Sequence, residues 1–167
     1  MRVLVSHEEI VEISKNIGAQ LTQKFAGTEP IVVCVLKGAC PFHSELIKHI
    51  DLMLEVDYIQ ASSYSGTEST GTLTLKKDLE HDISGRDVIV VEDIVDTGLT
   101  LSNLKTELAL RKPKSLTFVT LLDKPSRRKT DFKSDFVGKT IENLFVIGFG
   151  LDLDEKYRNL KDICIFE

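Results

Sequence analysis

The chain has 167 residues, 42% hydrophobic and 28% charged, the balance of a soluble globular protein with enough apolar surface for one core. Its formal net charge of −5 excludes a global field that gathers polyanions, so a nucleic-acid or anionic-membrane partner would need a local basic patch. The run Arg127-Arg128-Lys129 is the best candidate for such a patch, and a short run of this kind reads as a solvated face.

From the N-terminus, His7, Glu8 and Glu9 interrupt the opening apolar residues too early for a signal peptide. Ser6 and Glu9 have capping-box spacing, and Ile10, Ile13, Ile17 and Leu21 recur at helical intervals, which predicts a first helix. The β-branched run 31–36 predicts a strand buried on both faces, as in a parallel sheet. Pro41 suits a first helical turn ahead of Phe42, Leu46, Ile47 and Ile50. A second strand is expected over 52–61, then a polar stretch over 62–71 that reads as a mobile loop or a disordered surface excursion. A short strand over 72–75 and a Ser84-Gly85 turn precede a third buried strand over 88–91. Leu101, Leu104 and Leu108 mark one face of a helix that Lys112-Pro113 closes. Further strands are expected over 115–122, 145–147 and 163–166. No window approaches the ~20 apolar residues of a membrane span. Cys34, Cys40 and Cys164 form no CxxC pair, and Cys34 and Cys164 sit in apolar runs, so a reduced, cytoplasmic protein is expected.

Strands alternating with helices predict an α/β fold with a mainly parallel sheet in a single domain over 1–167, with ligands in the crevice beyond the carboxyl ends of the strands. The segment Glu92-Asp93-Ile94-Val95-Asp96-Thr97-Gly98-Leu99-Thr100 stands at such a strand end. Three carboxylates within five residues repel one another, which a divalent cation or a polyhydroxyl ligand would relieve. Gly98 permits close backbone approach, free N–H groups at a helix start bind anions, and Thr97 and Thr100 add hydroxyls. Acids beside an amide cradle suit a sugar phosphate. The plainer account, that Thr97 or Thr100 caps the helix and the acids favour its positive end, leaves Glu92 and Asp93 unexplained. A P-loop would need Gly-Lys-Ser/Thr, which is absent, and an aspartyl-phosphate phosphatase would want Asp-x-Asp, whereas two residues separate Asp93 from Asp96.

This segment resembles the phosphoribosyl-pyrophosphate signature of type I phosphoribosyltransferases. Leu36-Lys37-Gly38, Ser63-Tyr64, Lys124, Asp135-Phe136-Val137-Gly138, the run 145–152 and Tyr157-Arg158 are similar, in order, to the hypoxanthine-guanine members, and the compact length looks like their bacterial form. The resemblance implies the type I fold, with helices flanking the central sheet, a small hood and a flexible loop. It implies that Glu92 and Asp93 hold the ribose hydroxyls directly or through Mg2+, and that Asp96 is the general base for the purine N7 proton. Thr97, Gly98, Leu99 and Thr100 would cradle the 5′-phosphate. Lys37, Gly38 and Arg158 would contact pyrophosphate, with a cis peptide between Leu36 and Lys37. Lys124 would donate to the purine 6-oxo group, Phe145 would stack on the ring, and the Val146 backbone would read its far edge. Asp152 would serve the purine side and help place a second magnesium, and Ser63 and Tyr64 would close as a lid.

Some members carry Lys where this chain has Leu99, so side-chain contact with phosphate there would be lost while the backbone amide remains. Read alone, Lys37 and Lys124 are also ordinary strand-end residues and Phe145 a core aromatic. Asp152, with Asp154 and Glu155, reads as a solvated acidic turn that Arg158 would pair with. The resemblance implies phosphoribosyl pyrophosphate and a 6-oxopurine as ligands, no nucleic acid or membrane partner, and a homodimer or homotetramer. A xanthine-guanine-type enzyme and a non-catalytic RNA-binding regulator of the same fold are the competing expectations.

Overall fold

Segments in which nearly every residue is apolar and β-branched can only be satisfied between two covering layers. The computed structural model describes residues 1–63 and 73–167, and it places those segments at the centre of a six-stranded sheet. In chain order the elements are β1 (Arg2–Val5), α1 (His7–Lys24), β2 (Ile31–Val35), α2 (Cys40–Ile47), β3 (Glu55–Ser63), β4 (Leu73–Lys77), β5 (Asp87–Val95), α3 (Leu99–Ala109), β6 (Ser115–Asp123), a 3-10 turn (Pro125–Arg127), β7 (Phe136–Thr140), β8 (Val146–Ile147) and β9 (Ile163–Ile165).

The large sheet runs β4-β3-β2-β5-β6-β7, parallel throughout except for β4 at one edge. A second sheet of three antiparallel strands, β1-β9-β8, forms the hood. Alternation along the strands sends Val32, Ile89, Val91 and Val119 to one core layer under α1, α2 and the hood. Val33, Val88, Val90 and Phe118 go to the other, beneath Leu101, Leu104 and Leu108 of α3.

Chain direction across the sheet fixes where a ligand fits. From β2 the chain crosses to β3 on one side, whereas from β5 it moves through β6 to β7 on the other. The order therefore reverses between β2 and β5, and the loops leaving their carboxyl ends diverge around a crevice. Those loops are the Lys37-Gly38 loop and the acidic turn.

The expected elements are present, with four differences. β1 and β7 lie at sheet edges with mixed burial, where apolar periodicity is weakest. β3 begins at Glu55, three residues later than the apolar pattern suggests. The capping box is half formed: Ser6 accepts from the Glu9 amide at 3.1 Å, while the Glu9 carboxylate reaches Lys139 of β7 at 2.6 Å. No helix among the described residues is long and apolar enough to cross a membrane.

Candidate active site

β5 is fully buried over 88–91 and then emerges into the crevice, carrying Glu92 and Asp93. Each carboxylate turns back on the main chain, Glu92 accepting from the Asp93 amide at 2.9 Å and Asp93 from the Ile94 amide at 2.6 Å. Burial of the carboxyl groups raises both pKa values above the ordinary range, with the Asp93 charge adding to the rise at Glu92. Two acids held in this state are suited to a cation or to hydroxyl donors.

The turn that follows is built on Gly98, whose φ of 81° makes it a left-handed N-cap for α3. Gly98 has no side chain with which to cap the helix, and the Thr97 hydroxyl accepts from the Leu99 amide at 3.3 Å, so Thr97 meets one N–H of the first turn, a role that leaves Glu92 and Asp93 unexplained. Glu92, Ile94, Asp96, Thr97, Gly98 and Thr100 are among the residues lining a pocket of about 160 Å³ at this helix start. The Leu99 side chain is exposed and does not line it, so the substitution of Leu for Lys leaves the pocket wall intact.

Facing the turn, the Leu36–Lys37 peptide is cis, as the resemblance implies. Gly38 lies directly against the Asp93 carboxylate, and the Gly38 carbonyl occupies the space that a side chain on Gly150 would need. The segment after β8 is thereby packed over the β2 loop. It brings Arg158 to Asp152 at 3.3 Å and to Glu155 at 3.0 Å, and Glu155 also binds Lys37 at 2.8 Å. Hydrogen bonds from Lys37 and then Arg158 hold the Glu155 carboxyl below its ordinary pKa. Glu155 is exposed, in the solvated turn read from the sequence, and pairs with Arg158 as that reading expects; the contact from Lys37, distant in sequence, is added by the fold. Arg158 Nη1 also donates to the Gly150 carbonyl at 2.6 Å, while its buried Nε has no partner among the described residues.

On the opposite side Lys124 ends β6, only 7% exposed, its amide donating to the Val95 carbonyl at 2.9 Å. Burial lowers its pKa, partly offset by the Asp96 charge. Phe145 is 51% exposed and meets Phe166 edge to face at 6.2 Å, so it is not the core aromatic that the plain reading expected. Val146 is buried in β8, paired with Ile165. Tyr64 lies outside the described residues, and of Ser63 only the backbone is described, as the last residue of β3.

Arg127 and Lys129 of the basic run are exposed, as a solvated face requires, whereas Arg128 is drawn inward, and all three residues are tied to the acidic turn. Arg127 Nε donates to Asp96 Oδ1 at 2.9 Å, Arg128 Nη1 to the Asp96 carbonyl at 2.8 Å, and the Lys129 amide to the Thr97 carbonyl at 2.8 Å. Arg128 also pairs with Asp123. The reason is pairing order: β5 and β6 are parallel neighbours, so residues following Asp123 come to lie beside those following Val95. Basic residues just after a strand whose neighbour ends in acids were the available signal. Among the described residues, no three His, Cys, Asp or Glu side chains are grouped to hold a metal ion by themselves.

A family model described as the phosphoribosyl transferase domain matches residues 3–154, and the chain belongs to that family. The hypoxanthine-guanine phosphoribosyltransferase of Bacillus subtilis (strain 168) is 50% identical over 167 residues, covering 99% of this chain and 93% of the relative. A hypoxanthine-guanine-xanthine phosphoribosyltransferase of Tritrichomonas foetus is 47% identical, covering 99% of this chain and 91% of the relative. A crystal structure of a hypoxanthine phosphoribosyltransferase from Staphylococcus aureus superposes with a TM-score of 0.96 at 47% identity, covering 100% of this chain and 91% of that one. Within the family, the chain stands with the hypoxanthine-guanine members and has the type I fold.

Proposed function

We infer that the chain, acting as one domain over 1–167, transfers the 5-phosphoribosyl group from phosphoribosyl pyrophosphate to hypoxanthine and guanine, forming IMP or GMP and pyrophosphate in purine salvage. The observation that carries this is the convergence of three kinds of group on one crevice. The half-buried Glu92–Asp93 pair suits ribose hydroxyls, the Thr97–Gly98–Thr100 turn suits a phosphate, and Lys37 with Arg158 suits pyrophosphate.

In this reading Thr97, Gly98, Leu99 and Thr100 hold the 5′-phosphate through main-chain amides and hydroxyls at the start of α3. Lys37, the Gly38 backbone and Arg158 take the departing pyrophosphate, exchanging Glu155 for its oxygens. Lys124 meets the purine 6-oxo group, the exposed Phe145 face stacks on the ring, and the Val146 backbone reads its far edge. Asp96 accepts the N7 proton. Ser63 and Tyr64 close over the reacting atoms as a lid, which keeps water from the oxocarbenium-like sugar.

Glu92, Asp93 and Asp152 are the residues that would hold Mg2+. Oxygen donors fit this hard ion, which commonly takes one or two carboxylates together with substrate phosphates rather than a cage made only of protein groups. Two acids whose burial opposes their charge fit it also. When bound, Mg2+ supplies positive charge to the leaving pyrophosphate. The three free cysteines support a reducing, cytoplasmic setting. A homodimer or homotetramer without nucleic-acid or membrane partners completes the reading.

The test is a spectrophotometric assay with phosphoribosyl pyrophosphate and hypoxanthine, guanine or xanthine, each with and without Mg2+. Turnover of hypoxanthine and guanine that requires Mg2+ is expected. Because one relative is named for xanthine as well, preference for xanthine would transfer the assignment to a xanthine-using enzyme. Absence of pyrophosphate release with all three bases would overturn it.

A further inference from the structure

The residues after β6 form a strap across the phosphate turn. Its 3-10 turn is closed by the Arg127 amide on the Lys124 carbonyl at 3.1 Å and the Arg128 amide on the Pro125 carbonyl at 3.2 Å. Main-chain bonds pin it at both ends, Lys124 to Val95 at 2.9 Å and Lys129 to Thr97 at 2.8 Å. Arg128 adds a bond to the Asp96 carbonyl at 2.8 Å and its pair with Asp123. These contacts hold the Asp96 backbone and need nothing from the Arg127 side chain.

Arg127 does something different. Its Nε donates to Oδ1 of the Asp96 carboxylate at 2.9 Å, with the two side chains 46% and 42% exposed. An ion pair this exposed contributes little to stability, so its consequence is geometric. A guanidinium is planar with donors in fixed directions, and one that holds a carboxylate oxygen constrains the carboxylate plane as well as its position.

We propose that Arg127 is the positioning residue of Asp96: by holding Oδ1 it orients the carboxylate so that Oδ2 is the oxygen offered to the purine. This rests on the reading of Asp96 as the base for the N7 proton. The turn that carries Arg127 begins at Lys124, and N7 and the 6-oxo group are neighbours on the purine edge. One short, doubly pinned turn therefore sets both the donor for the 6-oxo group and the orientation of the acceptor for N7. The arrangement links two purine contacts that come from different strands, Lys124 from the end of β6 and Asp96 from the end of β5.

The test is a double-mutant cycle on the intact protein, with steady-state kinetics and thermal midpoints for Arg127→Gln, Arg127→Lys, Asp96→Asn and Arg127→Gln combined with Asp96→Asn. Arg127→Gln is expected to lower kcat about tenfold, less than the ~10²-fold that an ångström of misplacement can cost. Its KM for phosphoribosyl pyrophosphate and its thermal midpoint stay at wild-type values, and Arg127→Lys recovers part of the loss. The double variant is no slower than Asp96→Asn, since orienting a base that is already lost changes nothing. An unchanged kcat in Arg127→Gln overturns the proposal, as does an equal fold loss in both backgrounds. A loss expressed as a raised KM for phosphoribosyl pyrophosphate also overturns it, because Arg127 would then serve the phosphate. Full turnover in Asp96→Asn overturns the reading of Asp96 itself, and is distinguished by that single variant alone.

Discussion

The Asp93 carboxylate lies against the backbone of Gly38 so closely that a methyl group on that glycine would overlap it. The contact joins the carboxyl ends of β5 and β2 across the point where strand order reverses. Gly38→Ala should therefore displace Asp93, costing about 1–3 kcal/mol of stability as overpacking does. Calorimetry with Mg2+ present should register weaker phosphoribosyl-pyrophosphate binding in the same variant. Wild-type binding would mean that the close approach is incidental to the ligand.

Asp96→Asn should lower turnover by a factor of about 10²–10⁴, the range of a lost general base, and leave phosphoribosyl-pyrophosphate binding largely intact. Single-turnover kinetics alongside calorimetry separate the two effects. Asparagine keeps the shape and can still accept from Arg127, so a loss of turnover reports on the proton acceptor.

Lys124→Ala removes a buried ammonium at the end of β6. Purine use should suffer far more than sugar-phosphate binding, because the pocket at the start of α3 does not include Lys124. Equal losses of both would assign Lys124 a structural part in the strap instead.

The β4–β5 loop is held by Asp57, a carboxylate only 3% exposed. It accepts from the Tyr58, Glu80 and His81 amides at 2.8, 3.0 and 2.9 Å and contacts the His81 ring at 2.8 Å. Burial would raise its pKa, but these hydrogen bonds outweigh burial and hold it below the ordinary value. The bond to Asp57, helped by Glu55, raises the His81 pKa. A lowered acid contributes stability above its unfolded value and loses it as pH falls through the folded one. A raised imidazole contributes below its unfolded value and loses it as pH rises through the folded one. The pair is thus strongest between about pH 4 and 6.5, the unfolded values of its members. Asp57→Ala should cost about 1.5–3 kcal/mol there, as expected for hydrogen bonds to a charged group. In thermal melts, the gap between wild type and His81→Ala should shrink as pH rises beyond that window. A gap that does not change with pH would exclude imidazole protonation from the linkage.

Local chemistry made much of this protein legible in one dimension. A run such as 31–35 has no satisfactory place except a doubly covered strand, and three acids before a Thr-Gly helix start are expensive without a ligand. Those features depend on neighbours within a few residues, and so did the resemblance that ordered Lys37, Lys124, Phe145 and Arg158 along the chain. What only the folded chain decided depends on strand order. The parallel pairing of β5 with β6 sets Arg127 and Arg128 of the exposed basic run against Asp96, and packing of Gly150 over Gly38 accompanies the approach of Lys37 to Glu155, which Arg158 already reaches from three residues away. Periodicity carries no information about which strand end lies beside which. Contacts across 31 residues, from Asp96 to Arg127, or 118, from Lys37 to Glu155, arise only when the sheet is assembled.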